Sequence, residues 1–303
     1  MGCSTVIRTG FCALLLVFSV QVSALVVVDD QQRQVSLAQP AQRIVALAPH
    51  VVENLFAVGL GARVVGAVAH SDYPEDALAI PRVGGYTHVN REAILALHPD
   101  LVITWGSGVS QSLTLQLEAI GIPVYVSEPS SLAEIHDNLK DFALMGGIDP
   151  NRVESISAFK ATIGALAARP KDLPDTRSTV FYQIWHQPMQ TLNGQHLVSE
   201  IFTYCGLVNV FHDLIATAPT VSVEAVLRAD PDIIIASGID QARPSWLDAW
   251  AQYKSLTAVQ NKTLFAIDPD LLQRPTPRVL QGLERVCEIA RRSQRPNADL
   301  LQR

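Results

Sequence analysis

Apolar positions along this chain follow two rhythms. Short, mostly apolar runs stand at 44–48, 64–68, 101–104, 124–126, 179–184, 233–236 and 263–267. Each is too short for a helix and reads as a strand covered on both faces. Between them, apolar residues recur at steps of three and four, the spacing of one buried helical stripe. This spacing predicts helices at 53–58, 111–120, 132–145, 197–204, 223–228, 245–253 and 276–292. Strand and helix alternate throughout, which points to largely parallel sheets with helices on both faces. A loosely alternating stretch from Leu25 to Leu37, broken by Asp29-Asp30-Gln31-Gln32, predicts a short hairpin ahead of them.

One helix organises the rest. Asp149 is placed to cap it, Pro150 sits at its first position, and Val153, Ile156, Phe159, Ile163 and Leu166 form its stripe before Pro170 stops it. Read from 150 to 169, it is about 30 Å long at about 1.5 Å per residue. The sequence repeats on either side of it. Glu92-Ala-Ile-Leu-Ala-Leu-His-Pro-Asp-Leu-Val-Ile finds its echo in Glu224-Ala-Val-Leu-Arg-Ala-Asp-Pro-Asp-Ile-Ile-Ile, each reading as a helix, a Pro-Asp stop and a buried strand. The expected architecture is α/β: two Rossmann-like lobes with mostly parallel sheets, joined by one long α-helix. The divisions fall at 1–24, 25–148, 149–170 and 171–303. A single stiff joint predicts only slight tilting of one lobe against the other.

Residues 1–24 do not belong to that plan. Arg8 precedes an apolar run from Phe11 to Val20, and Val22-Ser23-Ala24 has the small residues of a cleavage site, as in a secretory signal. The run is too short to span a bilayer. Its loss moves the net charge from −6 to −7, since Arg8 is the only charged residue in it. An acidic chain without Lys/Arg runs argues against nucleic acid and anionic membrane as partners. Cys3 and Cys12 leave with the signal. The remaining Cys205 and Cys287 most simply form one disulfide in an oxidising compartment, two buried thiols being the other arrangement.

Candidate chemistry gathers after strand ends, where open α/β sheets bind ligands. His70 and Tyr73 follow one strand and Trp105 closes the next. Trp185 and His186 close a third, Asp270 and Arg274 follow a fourth, and Tyr86 lies in a glycine-rich loop. Facing lobes would set Tyr86 and Trp105 on one wall of a cleft and Trp185 and Arg274 on the other. Such a cleft, aromatic and poor in charge, suits a bulky, largely apolar ligand. Trp246 and Trp250, four apart on one expected helix, read as packing, and Arg278 as a partner of carboxylates or helix ends. Nucleophile elbow, phosphate loop and paired zinc histidines are missing from the sequence, and Gly59-Leu-Gly61 lacks the third glycine of a dinucleotide fingerprint. An exported enzyme would have to recruit histidines from distant positions. Glu92 and Glu224 stand at matched helix starts, a place acids also favour for the helix dipole. Their pairing suits docking onto a dimeric partner with basic sockets.

Arg43-Ile-Val-Ala-Leu-Ala, Ser71-Asp72-Tyr73-Pro74, Val83-Gly84-Gly85, Asn90-Arg91-Glu92, Phe181-Tyr-Gln-Ile-Trp185, Val221-Ser-Val-Glu224 and Thr276-Pro277-Arg278 together resemble the periplasmic cobalamin-binding proteins of bacterial ABC importers. The likeness spans about residues 43–290. It implies a periplasmic, monomeric carrier that is not an enzyme and has no cofactor, with a corrinoid as its ligand held between two rigid lobes. By the same resemblance His70, Tyr86, Trp105, Trp185, Asp270 and Arg274 match or neighbour corrinoid-contacting positions. Glu92 and Glu224 would meet arginines of the permease dimer in the inner membrane. Three positions depart from the family pattern: His70 stands where an aromatic is expected, Tyr86 replaces a tryptophan, and Ala218 lacks one. Haem and ferric-siderophore carriers share the architecture and are the alternative ligands.

Overall fold

In the computed structural model the two expected sheets form, and their carboxyl edges determine where a ligand can sit. The structure describes residues 24–85, 88–168, 178–238 and 243–293. Residues 1–23 of the expected signal segment and Tyr86 lie outside these residues. An antiparallel hairpin, β1 (Leu25–Val28) and β2 (Gln34–Leu37), comes first among the described residues. The first lobe then builds β3 (Ile44–Ala46), α1 (Pro49–Ala57), β4 (Val64–Val68), β5 (Arg82–Gly84), α2 (Arg91–Ala96), β6 (Leu101–Trp105), α3 (Gln111–Glu118), β7 (Val124–Ser127) and α4 (Leu132–Met145). Its five-stranded sheet is parallel, in the order β5-β4-β3-β6-β7.

After α5 (Glu154–Ala167) the second lobe supplies β8 (Ser178–Gln183), the two-residue strands β9 (Trp185–His186) and β10 (Met189–Gln190), α6 (Leu197–Tyr204), β11 (Leu207–Asn209), α7 (Val223–Ala229) and β12 (Ile233–Ala236). Short helices α8 (Ser245–Asp248), α9 (Thr257–Gln260) and α10 (Pro269–Leu272), the strand β13 (Leu264–Ala266) and the long α11 (Val279–Ser293) complete it. The second parallel sheet runs β11-β8-β12-β13. Strands β3, β7 and β12 are buried at every position, as the short, mostly apolar runs predict.

The repeated segment shows what its Pro-Asp does. Asn90 caps α2 by accepting from the Ala93 N–H, and Ser222 caps α7 by accepting from that of Ala225. Both helices end in a left-handed residue, His98 at φ 46° and Asp230 at φ 41°, because a residue before proline is barred from the helical region. The aspartate after each proline then pins the neighbouring central strand. Asp100 accepts from the backbone N–H groups of Gln42 and Arg43, and Asp232 from the N–H and hydroxyl of Thr179. The two lobes thus share one local construction.

The joining helix is shorter than its periodicity predicts. Asp149 does cap, but it accepts from Asn151 and closes a 3-10 turn over Pro150–Arg152. Val153 is then extended, and α5 begins at Glu154, so its fourteen residues span about 21 Å. Ile156, Phe159 and Leu166 are buried against α4 and the core, and Ser155 Oγ donates to Ala57 O at 2.6 Å. Other contacts also join the lobes: the Leu132 N–H at the start of α4 donates to Glu200 of α6 at 2.8 Å, and one continuous core runs through both sheets. Cys205, just past α6, and Cys287 in α11 form a disulfide, which settles the open alternative in favour of the bond. On the chain-entropy estimate, closing a loop of 82 residues stabilises by roughly 4 kcal/mol.

Candidate functional site

Residues following β3 and β4 touch residues following β13, so the carboxyl edges of the two sheets meet on one side of the molecule, where open α/β sheets bind ligands. On the first lobe's wall, Trp105 ends β6 with its indole held from several sides. Its Nε1–H donates to Glu128 Oε1 at 3.1 Å, and Glu128 also accepts from the Ser107 hydroxyl at 2.9 Å and the Ser107 N–H at 2.6 Å. Glu128 in turn donates its own N–H to Asp30 in the opening hairpin. Gly108 allows the indole's place, since a Cβ there would stand 2.0 Å from Trp105 Cε3. His50, in the first turn of α1, meets the indole edge to face at 6.3 Å and 84°.

His50 is buried and shares a 3.1 Å hydrogen bond between Nε2 and Ser127 Oγ. Burial, reinforced by the positive charge of Arg274, pushes its pKa down to about 3, so the ring is neutral at physiological pH. His70 is exposed just past β4 with a left-handed backbone, φ 62°. Tyr86, the other expected member of this wall, is beyond the described residues.

The second wall is aromatic. Trp185 and His186 form β9 at the end of β8, both exposed. Their rings lie 5.4 Å apart, and Trp246 stacks on His186 at 4.7 Å and 12° while standing 6.2 Å from Trp185. Trp246 packs, as its sequence reading has it, but against these rings rather than on a stripe shared with Trp250. The expected helix over 245–253 is one α-turn followed by a 3-10 turn, which takes the two tryptophans off a common stripe. Trp250 is core, bonded to Gln183 and edge-on to Phe181, whereas Trp246 completes the ring cluster at the sheet edge.

A charged seam closes one side of the cleft, where the sequence predicts few charges. Arg274 reaches Asp72 of the first lobe at 2.8 Å and Asp270 at 2.8 Å. Glu53 of α1 accepts from Thr276 Oγ1 at 2.6 Å and from Arg278 Nε and Nη2, each at 2.7 Å. The Arg278 guanidinium also covers the Tyr73 ring at 3.9 Å, and Asn54 donates to Pro275 O at 3.0 Å. Partial burial alone would raise the pKa of Asp72, but the hydrogen bond and charge of Arg274 outweigh it and hold the carboxyl below its usual range. Asp270 goes the other way, because its burial outweighs the attraction of Arg274. Burial likewise opposes the charge on Arg278, yet its bond to Glu53 prevails and raises its pKa. The seam is charged but internally neutralised. Arg278 is thus the partner of carboxylates that its sequence reading gives, with Glu53 supplied by the other lobe.

Glu92 and Glu224 stand in the first turns of α2 and α7 with exposed side chains. Each helix runs antiparallel to the strand it feeds, so its start is level with the carboxyl edge of its own sheet. The Glu224 carboxyl is held below its usual range by its own N–H and by Ser222. Among the described residues no three His, Cys, Asp or Glu side chains gather to hold a metal. A cavity of about 450 Å³ lined by Gly194, Ser199, Thr203, Leu207, Val208 and His212 includes none of the cleft residues.

Sequence reasoning missed Glu53, His50 and Glu128. Glu53 opens the expected helix at 53–58, where the helix dipole alone accounts for an acid. His50 falls just before that helix, and Glu128 has no signal beyond following β7.

The sequence profile of the periplasmic binding protein family matches residues 44–271. A vitamin B12-binding protein of Vibrio vulnificus is 33% identical over 276 residues, covering 91% of this chain and 94% of its own length. A vitamin B12-binding protein of Vibrio cholerae is 36% identical over 268 residues, covering 84% of this chain and 91% of its own. The crystal structure of a periplasmic vitamin B12-binding protein of Vibrio cholerae superimposes with a TM-score of 0.74 at 35% identity, over 84% of this chain and 98% of that one. A periplasmic haem-binding protein of Roseiflexus, at 24% identity and a TM-score of 0.71, shares the fold. The chain belongs to the periplasmic binding protein family.

Proposed function

We propose that this protein captures vitamin B12 or a related corrinoid between its lobes in the periplasm and delivers it to an ABC importer. As a periplasmic binding protein it binds solute and performs no catalysis. The observation that carries the ligand reading is the pair of indole-bearing walls, Trp105 braced by Glu128 and Trp185 beside Trp246, on facing sheet edges. It gains weight from relatives matched over most of their own length whose names specify vitamin B12. A corrin is broad, flat and largely apolar, and burying its faces against indoles stabilises at about 25 cal/mol per Å². Walls already fixed before binding avoid most of the ordering cost.

In this reading His70, Tyr86, Trp105 and Trp185 contact the corrin, while Asp270 and Arg274 orient its rim amides. Glu92 and Glu224 dock a monomeric carrier onto the permease dimer, and residues 1–24 direct export and are removed. Calorimetry with cyanocobalamin, haem and a ferric hydroxamate tests the choice of ligand. Heat with cyanocobalamin alone is the expected result. Binding of haem with a displaced Soret band, and none of cyanocobalamin, would replace it.

A further inference from the structure

We infer that His186 is a metal-coordinating residue of the ligand site, selecting corrinoids whose cobalt carries an exchangeable axial water. This deepens the proposed function and rests on it. Most of the eight histidines are unsuited to such a role. His50 is bonded to Ser127, His196 accepts from the Val198 N–H as a helix cap, and His136 and His212 lie beside Asp137 and Asp213. His98 lies between α2 and the start of β6, at the amino edge of its sheet, away from the cleft. His186 is exposed at the carboxyl edge of the second sheet, and its ring makes no hydrogen bond among the described residues. Its orientation is nevertheless set, since Trp246 lies parallel to it at 4.7 Å and Trp185 stands 5.4 Å away.

An imidazole held on one face but with open nitrogens is suited to coordination. Trp246 restricts its rotation before the ligand arrives, which lowers the cost of ordering it. The corrin ring fills four equatorial positions on cobalt(III) and leaves two axial ones. In the exchange, a neutral His186 nitrogen donates its lone pair to cobalt. The cobalt–oxygen bond breaks, water leaves intact, and neither the oxidation state nor the total charge changes. A corrinoid with cyanide on both axial positions lacks that opening, so the residue discriminates by what already caps the metal. Trp185 beside it supplies apolar contact to the same face of the macrocycle.

The test uses the full mature chain and two probes, aquocobalamin and dicyanocobinamide, followed by calorimetry and visible absorption together. Aquocobalamin bound to the wild type shows displaced visible bands, and excess cyanide restores the bands of a cyano form. His186→Phe keeps a ring to stack on Trp246 but has no donor nitrogen, so it loses the displacement. His98→Ala retains it. Binding of aquocobalamin by the wild type without displaced bands overturns the assignment while leaving corrinoid binding intact. The assignment also fails if His186→Phe keeps the displacement, or if His70→Ala rather than His186→Phe removes it. No heat with either probe overturns the ligand reading and this assignment with it.

Discussion

Replacing Glu53 by glutamine tests whether the lobes are held by more than α5. The carboxylate is almost fully buried, with 3% of its side chain exposed, and it accepts three hydrogen bonds from the other lobe, one from Thr276 and two from Arg278. Removing one member of such a pair costs about 3–5 kcal/mol in general, because the remaining charge is left without its partner. Here the loss falls short of that. Arg278 keeps Asp270 at 4.0 Å and the Tyr73 ring at 3.9 Å, and glutamine still offers an oxygen to Thr276. We expect about 2–3 kcal/mol, a fall in urea midpoint of roughly 0.7–1 M for an m-value near 3 kcal/mol per M. Urea unfolding followed by fluorescence reads it directly, with Trp105 in the first lobe and Trp185, Trp246 and Trp250 in the second. A double-mutant cycle with Arg278→Met isolates the pair. A loss under about 0.5 kcal/mol, or coupling of that size, is what exposed pairs show and would refute the seam as a structural joint.

Four further outcomes follow from the same geometry. Trp185→Ala weakens cyanocobalamin binding by about 1–3 kcal/mol, roughly 5- to 150-fold, by analogy with stacking of nucleobases on aromatic rings; an unchanged dissociation constant in calorimetry would return the ring to the rim. Glu128→Ala releases both the Trp105 indole and Ser107, so tryptophan emission shifts and affinity falls by about tenfold, the equivalent of one lost hydrogen bond to a charged group; identical emission and affinity would count against the brace. Glu92→Ala combined with Glu224→Ala leaves calorimetric affinity as it was and reduces uptake in cells, and lost affinity would contradict the docking role. His196, depressed to about 4 by burial, favours its neutral form in the folded state, so its contribution is lost as pH falls from about 6.5 through 4. His196→Asn preserves a capping acceptor for Val198 and loses less stability than wild type between pH 7.5 and 5 by urea unfolding; equal losses would refute that assignment.

Much of the fold was legible because local chemistry and tertiary role agree. Asn90 and Ser222 cap where the repeat begins, and the Pro-Asp pairs both stop a helix and pin a strand, so the sequence spacing carries the construction of each lobe. The joint was misjudged by one turn because Asp149 stabilises a 3-10 turn as readily as a helix start. The four-residue spacing did not show that Trp246 and Trp250 pack in different places, because a break of helix type after Asp248 changes the side-chain phase. The seam was illegible for another reason. Asp72 and Arg274 are 202 residues apart, and Glu53 and Arg278 are 225 apart, so no local pattern couples them. Trp105 and Trp185 were readable as strand-end aromatics, whereas Glu128, which fixes Trp105, is recognised only once β6 and β7 lie side by side.

Titration of cyanocobalamin into the mature protein by calorimetry most directly tests whether the facing aromatic walls form a corrinoid site. The expected result is one ligand per chain with a dissociation constant of about 1 µM or tighter, a free energy of about −8.2 kcal/mol or more favourable, weakened by both Trp105→Ala and Trp185→Ala. No heat, or an affinity unaffected by removing either indole, would contradict it.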